Sequence, residues 1–294
     1  MKVTISIPAY NEANTLGPLL QSIKQVMGKS RYSYEIQVID DGSTDSTVKV
    51  AKSYGAKVCS HPHNYGLAET FRTEIKKFLE SSSGAFVHID ADGQYLPSDI
   101  PRLLNEIENG NDLVLGNRFA GGIESMPLIK RLGNKAFSRV ISKIIRFKVG
   151  DCQTGFRAFN RSVASKVSII SDHTYTQEQV IKASREKFRI KEIPVRFLKR
   201  TSGKSRLLSN PFEYALKAWI NLFRIYRDYE PLKFFGRIGA LFISLGVLIG
   251  AYLVYLYIRY SRIGHTPSVI LTMLFIIMGI QIIIFGFLAD MQRK

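Results

Sequence analysis

Cysteine is scarce in this sequence, and its scarcity argues against two kinds of covalently or metal-stabilised fold. Cys59 and Cys152 are the 2 cysteines of the 294-residue chain. They form no CxxC pair and have no histidine cluster nearby, so neither a disulfide framework nor a structural zinc site is predicted. We expect two buried thiols in a reducing compartment.

Acidic residues are also in deficit, with 24 Asp and Glu against 41 Lys and Arg, for a formal net charge of +17. This balance indicates a polyanionic partner such as nucleic acid, anionic lipid or a phosphorylated substrate. Much of the excess lies beside hydrophobic segments rather than among interleaved aromatic residues, which favours membrane phosphates. We therefore predict no nucleic-acid partner.

The N-terminal residues lack the pattern of a cleaved signal peptide. MKVTISIPAYNE has no basic segment followed by an apolar stretch of ~7–15 residues. We expect the first domain to stay in the cytoplasm.

Two segments without Asp, Glu, Lys or Arg, 238–258 and 267–289, lie near the C-terminus. Each can cross a bilayer core of ~30 Å at ~1.5 Å per residue. The link from Arg259 to Thr266 is short, so the two spans should form an antiparallel hairpin. Basic residues flank the other ends of both spans, which favours a cytoplasmic N-terminal domain. A helix pair buried in a soluble protein is the alternative, disfavoured by the length and the uncharged character of both segments.

Residues 211–232 precede the hairpin and carry apolar side chains at helical spacing, among them Phe212, Trp219 and Phe223. The pattern predicts an amphipathic helix in the membrane interface, with a core helix of the soluble domain as the alternative. The predicted organisation is a catalytic domain, this interfacial helix and a transmembrane hairpin, at 1–210, 211–232 and 233–294.

Residues 1 to about 200 alternate short apolar runs with helical patterns, beginning with KVTISIP and a helix around Thr15 to Met27. This alternation predicts an α/β domain with a Rossmann-like, mainly parallel sheet. Ligands of such sheets bind beyond the carboxyl ends of the strands. Candidate site residues should therefore follow the strands.

Polar clusters follow three predicted strands: PAYNE (8–12), DDGS (40–43) and DADGQ (90–94). Together they would form an acidic pocket at one sheet edge. Two carboxylates of an Asp-x-Asp turn suit a hard divalent cation that shares phosphate oxygens with a substrate, so Mg²⁺ or Mn²⁺ is predicted. Helix caps or turns are the alternative for any single cluster.

These motifs, with GNRF (116–119) and TGFRAF (154–159), resemble the inverting GT-A-fold glycosyltransferases, most closely the polyprenyl-phosphate (dolichol-phosphate) mannose or glucose synthases. The resemblance covers Lys2 to about Leu207. It implies that the donor nucleoside is held by Pro8, Tyr10, Glu12 and Asp41. It also implies a metal on the donor diphosphate, surrounded by Asp90, Asp92 and Gln94.

Cations should stabilise the nucleoside diphosphate as it leaves the sugar. Arg118 follows a predicted strand, and the segment 199–206 combines basic residues with glycine and hydroxyls. A solvated charged loop is the alternative for that segment. The resemblance implies that Arg200 and Ser205 lie in a loop that closes over the phosphates, and we add Lys204 to the donor-binding residues.

An alcohol acceptor would need a side-chain base, whereas a phosphate acceptor, with a second pKa of ~6, is already largely anionic at pH 7. Basic residues must then bring two anions together, and Lys130, Arg131, Arg139 and Arg157 are available. The resemblance aligns Arg131 with an acceptor-phosphate position. The predicted catalytic residues are Asp92, Arg118, Arg131 and Arg200.

The sequence thus predicts a metal-dependent hexosyltransferase, similar to dolichyl-phosphate β-D-mannosyltransferases, that passes a hexose with inversion to a polyprenyl phosphate. Mannose from GDP-mannose is favoured, with UDP-glucose as the other donor. We expect a multi-pass protein of the cell membrane with its catalytic domain on the cytoplasmic face, and a homo-oligomer is compatible with the sequence.

Other functions remain as alternatives: transfer to another membrane lipid or lipid-linked glycan, or a non-catalytic scaffold that retains the fold. A processive polysaccharide synthase is disfavoured because its QxxRW motif is replaced by TQEQV at 176–180. The role of Glu178 within that segment is left open.

Overall fold

The computed structural model describes residues 1–171, 175–200, 220, 223–261 and 266–292. The chain divides into two compact units, Met1–Ala215 and Leu216–Lys294. Strands of the first unit are β1 (Lys2–Ala9), β2 (Ser33–Asp40), β3 (Lys57–Ser60), β4 (Ala85–His88), β5 (Leu113–Asn117), β6 (Arg157–Asn160) and β7 (Ile190–Pro194). Its helices are α1 (Ala13–Gly28), α2 (Thr47–Ser53), α3 (Leu67–Glu80), α4 (Ile100–Glu108), α5 (Arg118–Gly121), α6 (Leu128–Ile145), α7 (Arg161–Lys166) and α8 (Thr176–Arg185).

The strands form one sheet in the order β3-β2-β1-β4-β6-β5-β7. All neighbouring pairs are parallel except those of β6, which runs antiparallel to both β4 and β5. The predicted mainly parallel α/β fold is therefore confirmed, and the antiparallel strand comes from the TGFRAF motif. This order makes β2, β1 and β4 neighbours, so the segments that follow them meet at one edge.

Side chains of β1 alternate between two buried faces. Val3, Ile5 and Ile7 join the main apolar core with residues of α1 and α4. The intervening Thr4 and Ser6 are also buried. Gln37 Nε2 donates to Ser6 Oγ (2.8 Å) and to the Glu74 carbonyl of α3 (3.1 Å), so these buried polar groups under α3 are paired.

The second unit contains α9 (Pro231–Tyr260) and α10 (Thr266–Met291), which enclose the two predicted spans. With mean hydropathies of 2.2 and 2.7, both helices are long and apolar enough to cross a membrane. Glycines bring their backbones close, since a Cβ built on Gly239 would lie 2.6 Å from the Gly279 carbonyl oxygen. Most of the predicted interfacial helix and the centre of the predicted link lie outside the described residues.

Candidate active site

The three polar clusters meet where β1, β2 and β4 end. The β1 and β2 strands finish together, with Ala9 paired to Asp40, and Asp41 N donates to the Ala9 carbonyl (2.9 Å). Asn11 adopts φ +54°, and its amide donates to Ser43 Oγ (2.8 Å), which ties the first cluster to the second. The predicted convergence at one sheet edge is thus seen in the structure.

Asp41, a predicted nucleoside-binding residue, fastens the loop that precedes α3. Its carboxylate accepts hydrogen bonds from the backbone amides of Tyr65 (2.9 Å) and Gly66 (2.8 Å). His61 Nδ1 lies 2.8 Å from the same carboxylate, and its Nε2 lies 2.9 Å from Thr73 Oγ1. His61 therefore supports this side of the site. A histidine that follows a strand is usually structural, so its position in the sequence did not identify it as a site residue.

Glu12 links the first cluster to a distant arginine. Its Oε2 accepts a hydrogen bond from Thr15 Oγ1 (2.8 Å), and its Oε1 accepts one from Arg200 Nη2 (2.6 Å). Arg200 Nε lies 4.0 Å from Asp92 Oδ2, and it is a buried donor without a hydrogen-bond partner among the described residues. Arg200 thus bridges two predicted site carboxylates and keeps one N–H for a further acceptor.

Asp90 and Asp92 lie on the turn after β4, with side chains 34% and 18% exposed. Asp92 Oδ1 accepts from the backbone amide of Gln94 (3.1 Å), while Gln94 Nε2 donates to the Leu198 carbonyl (3.0 Å). Burial, followed by the charge of Asp90, raises the pKa of Asp92 to about 6. Asp92 therefore occupies a position where additional positive charge would stabilise its ionised form.

The pKa of Asp90 shifts the other way. Burial alone would raise it, but the hydrogen bond and charge of His88, with the charges of Arg118 and Arg157, lower it. Gly155 allows this packing, because a Cβ at that position would lie 2.7 Å from an Asp90 carboxylate oxygen. Asp90 is therefore held as a carboxylate.

A chain of buried polar side chains lies behind Asp90, and no sequence pattern indicated it. Fully buried His88 lies with Nδ1 2.8 Å from Glu74 Oε2, and with Nε2 2.8 Å from the Tyr175 hydroxyl and 3.4 Å from Asp90 Oδ1. Burial would lower the pKa of His88, but Glu74 and Asp90 raise it to about 9. A charged imidazolium thus stands between two carboxylates, which orients Asp90.

Arg118 is committed to a structural ion pair. Its guanidinium donates to both oxygens of buried Asp151 (2.6 and 2.8 Å) and lies over the Phe197 ring. Glu192 in turn accepts from the backbone amides of Gly150 and Asp151. Arg118 therefore contributes its charge to the surroundings of Asp90, while its Nε and Nη2 are already bonded to Asp151.

Two adjacent basic residues of α6, Lys130 and Arg131, differ in exposure. Burial and the charge of Arg118 lower the pKa of Lys130, whereas the charges of Asp92 and Asp90 oppose that shift. Lys130 is therefore half-buried within electrostatic range of the acidic turn. Arg131 is exposed on another side of the helix. The structure thus brings Lys130 to the predicted site, and the acceptor role of Arg131 stays a prediction.

Other predicted residues are placed as follows. Pro8 and Tyr10 are half-buried at the end of β1. Lys204 and Ser205 lie outside the described residues, so the predicted phosphate lid stays a prediction. Arg157 is buried and donates to Gln179 Oε1 (2.8 Å). Its Nη1 and Nη2 also donate to the backbone carbonyls of Thr176 and Thr154, while its buried Nε has no partner among the described residues.

Glu178 has a structural role. Its carboxylate accepts from the backbone amides of Ile170 (3.0 Å) and Ser171 (2.9 Å) and pairs with Lys182 (2.8 Å). It anchors α8 to the segment after α7.

The turn at Asp90 and Asp92 suits the predicted metal in one respect. Burial and the charge of Asp90 raise the pKa of Asp92, and a bound cation would stabilise its ionised form. Among the described residues, no group of three or more His, Cys, Asp or Glu forms a metal site by itself. Asp90 and Asp92, with the Gln94 amide oxygen, would therefore hold a cation whose other ligands come from water and substrate phosphates, as is usual for Mg²⁺.

Known proteins resemble this chain in sequence and in fold. The family model described as glycosyl transferase family 2 matches residues 4–168. The chain is 30% identical over 288 residues to the dolichol-phosphate mannosyltransferase of Pyrococcus furiosus, covering 93% of this chain and 78% of the relative. It is 29% identical over 218 residues to the UDP-N-acetylglucosamine–dolichyl-phosphate N-acetylglucosaminyltransferase of Methanococcus voltae, covering 66% and 84%.

A solved structure matches as well. It is glucosyl-3-phosphoglycerate synthase from Mycobacterium tuberculosis in complex with Mn²⁺, uridine-diphosphate-glucose and phosphoglyceric acid, with a TM-score of 0.57 at 18% identity. The match covers 75% of this chain and 79% of that one. At this identity the likeness shows the fold, and it confirms the expected GT-A architecture.

Proposed function

Because this chain belongs to glycosyl transferase family 2, we propose that it transfers a hexose, with inversion, from a nucleotide-sugar to a polyprenyl phosphate. The names of two relatives, which specify dolichol-phosphate mannose and dolichyl-phosphate N-acetylglucosamine transfer, support the lipid phosphate as acceptor. They differ in the sugar. We favour mannose from GDP-mannose, with UDP-glucose as the second donor.

The observation that carries the proposal is the acidic edge that faces two cations. Glu12 and Asp92 are bridged by Arg200, which keeps a buried N–H unpaired among the described residues, and Lys130 lies within electrostatic range of Asp92. Preorganised cations of this kind stabilise a diphosphate as its charge grows.

The transfer itself needs no side-chain base. A phosphate oxygen of the acceptor attacks the anomeric carbon from the face opposite the leaving group, as the bond from that carbon to the donor diphosphate breaks. The acceptor is anionic at neutral pH, so no proton has to be removed. Arg200 stabilises the departing diphosphate, and Lys130 offsets the repulsion between the two anions.

The proposed cofactor is Mg²⁺ or Mn²⁺, which when bound by Asp90, Asp92 and Gln94 would neutralise the donor diphosphate. The Mn²⁺ named for the tuberculosis enzyme supports a divalent ion in this fold. Orientation of these ligands falls to the protein, through His88 on Asp90 and the Gln94 amide on Asp92.

We further propose that α9 and α10 anchor the enzyme in the cell membrane as a hairpin, with the catalytic domain in the cytoplasm. In a background with Cys59→Ser, a cysteine placed at Ser261 should react with an impermeant maleimide from outside intact cells. A cysteine at Ser53, on α2, should react after lysis alone. The opposite pattern would reverse the orientation.

The experiment that tests the function is a donor panel. Membranes containing the full chain are incubated with a polyprenyl phosphate, Mn²⁺ or Mg²⁺, and labelled GDP-mannose, UDP-glucose or UDP-N-acetylglucosamine. One donor should deliver its sugar to the lipid, with an equal amount of nucleoside diphosphate released. Absence of lipid-linked sugar with every donor would reject the proposal.

A further inference from the structure

Gln153 lies in a buried segment that packs against the acidic turn. Within residues 151–159 it is the one residue that is not buried. Two positions further on, Gly155 approaches Asp90 so closely that a Cβ would lie 2.7 Å from a carboxylate oxygen. Gln153 is therefore the side chain through which this segment can contact a bound molecule.

The orientation of the Gln153 amide follows from a chain of hydrogen bonds that begins at Arg118. A guanidinium can only donate, so the atom of Asn134 that lies 3.3 Å from Arg118 Nη2 must be its amide oxygen. The Asn134 nitrogen then donates to the Lys130 carbonyl (3.2 Å) and to Gln153 Oε1. Asn134 itself is buried, which protects these bonds from water. The Gln153 oxygen is thus held by Asn134, and the Gln153 nitrogen lies on the side away from it.

The Gln153 nitrogen carries two N–H groups, and neither is bonded to another residue that the structure describes. A neutral amide donor of this kind suits a neutral oxygen such as a sugar hydroxyl. Phosphate oxygens are matched better by charged donors, because charge-assisted hydrogen bonds are the stronger ones. Arg200 and Lys130 supply such charges at the proposed site. The amide is therefore available for the uncharged part of the substrate.

Gln153 also lies between the two halves of the proposed site. Gly155 connects it to the acidic turn, where the donor diphosphate is proposed to bind. Asn134 connects it to the Lys130 turn of α6, which is proposed to face the acceptor phosphate. During transfer the hexose lies between these two phosphates, since its anomeric carbon is bonded to one and attacked by the other.

We propose that Gln153 Nε2 donates a hydrogen bond to a hydroxyl of the transferred hexose. The inference rests on the proposed function and deepens it, since it assigns a residue to the recognition of the sugar. A site that hydrogen-bonds a hydroxyl binds an analogue without that hydroxyl less tightly, because the protein donor is then left unpaired.

Donor binding in the absence of an acceptor tests the assignment. Full-length protein in detergent micelles is titrated calorimetrically, with Mn²⁺ present, with GDP-mannose and UDP-glucose. Analogues of each donor that lack one sugar hydroxyl are titrated in the same way. In the native chain, one analogue should bind about 5-fold more weakly than its parent donor. In Gln153→Met this difference should disappear, because methionine has a similar length and no N–H group.

Two controls separate recognition of the sugar from damage to the fold. The affinity of Gln153→Met for GDP or UDP, which carry no sugar to be transferred, should equal that of the native chain. Gln25→Met, at an exposed position of α1, makes the same chemical change away from the site and should keep the native difference between parent donor and analogue.

Two results would overturn the inference. One is a native chain that binds every analogue as tightly as its parent donor. The other is a Gln153→Met variant that keeps native affinity for GDP or UDP and still binds the same analogue more weakly than the parent. The titrations contain no lipid, so a chain that binds donors and transfers no sugar to polyprenyl phosphate would fail the donor panel without changing either result.

Discussion

The strand edge and helix α6 border the same site and are built in different ways. At the edge, hydrogen bonds or ion pairs hold Glu12, Asp41 and Asp90, with contact distances of 2.8, 2.9 and 3.4 Å. On α6, Lys130 and Arg131 are adjacent in sequence and differ in exposure; burial and the charge of Arg118 lower the pKa of Lys130, and the charges of Asp92 and Asp90 oppose that shift. The side chains proposed to bind the donor, at the strand edge, are therefore held in place by the fold. On α6, the rotation of the helix about its axis decides whether Lys130 or Arg131 faces the acceptor.

The largest effect should come from a substitution at the strand edge. Asp92→Asn is expected to lower sugar transfer by about 10³-fold, since it removes a charge placed for the donor diphosphate and its cation. Thermal unfolding of the variant at pH 7 should occur at the same or a higher temperature. The reason is that burial beside Asp90 raises the pKa of Asp92 to about 6, so its ionised form is unfavourable in the folded state. Full transfer by Asp92→Asn would remove the acidic edge from the mechanism.

The comparison is sharpened by two neighbouring substitutions on α6. Lys130→Ala should reduce transfer to polyprenyl phosphate by about 10²-fold, if a desolvated charge contact worth ~2–3 kcal/mol is lost. Arg131→Ala, one residue further on, should have a much smaller effect at saturating lipid phosphate. Initial rates of sugar transfer by both variants, measured in the same membranes, show which substitution has the larger effect. A larger loss for Arg131→Ala would favour the acceptor-phosphate role that the family resemblance implies for Arg131.

A smaller effect is expected from the buried chain behind Asp90. His88→Gln should weaken Mn²⁺ binding in the presence of a nucleoside diphosphate by about 10-fold, because Asp90 loses the group that orients it. Electron paramagnetic resonance of free Mn²⁺ measures this directly. The double variant Glu74→Gln, His88→Gln avoids leaving a buried Glu74 charge unpaired, and should bind Mn²⁺ as weakly as the single variant. An unchanged affinity for Mn²⁺ in both variants would show that Glu74 and His88 have a structural role only.

The smallest effect concerns the two thiols. Half-buried Cys59 should react with a maleimide in the folded protein, whereas Cys152 should react after denaturation only, because burial raises its pKa to about 12. Mass spectrometry of labelled peptides measures both. Rapid labelling of Cys152 in folded protein would show that the region beside Asp151 opens.

Much of the fold and of the strand edge could be predicted because both depend on local patterns. Alternating apolar runs predicted a mainly parallel sheet, and polar clusters after β1, β2 and β4 predicted where the acidic residues meet. The antiparallel β6 was not predicted, because it is only 4 residues long and begins with Arg157, so it forms no apolar run typical of a strand.

The contacts between residues that lie far apart in the chain could not be predicted from the sequence. His88 contacts Glu74 and Tyr175, which lie 14 and 87 positions away, so no spacing rule connects them. Arg118 was predicted as a catalytic cation, and its ion pair with Asp151, 33 positions away, depends on tertiary packing that the sequence pattern does not show. Which of Lys130 and Arg131 faces inward depends on the rotation of α6 about its axis, which charge alone does not specify.

The most direct test of the central claim compares two acceptors that differ in one phosphate. Full-length protein in membranes receives its preferred labelled donor with either a polyprenyl phosphate or the corresponding neutral polyprenol. The account predicts sugar transfer to the phosphate alone, because Lys130 has an anion to hold and no side chain has to remove a proton. Efficient glycosylation of the neutral polyprenol would contradict it and would require a side-chain base that removes the proton of the acceptor hydroxyl.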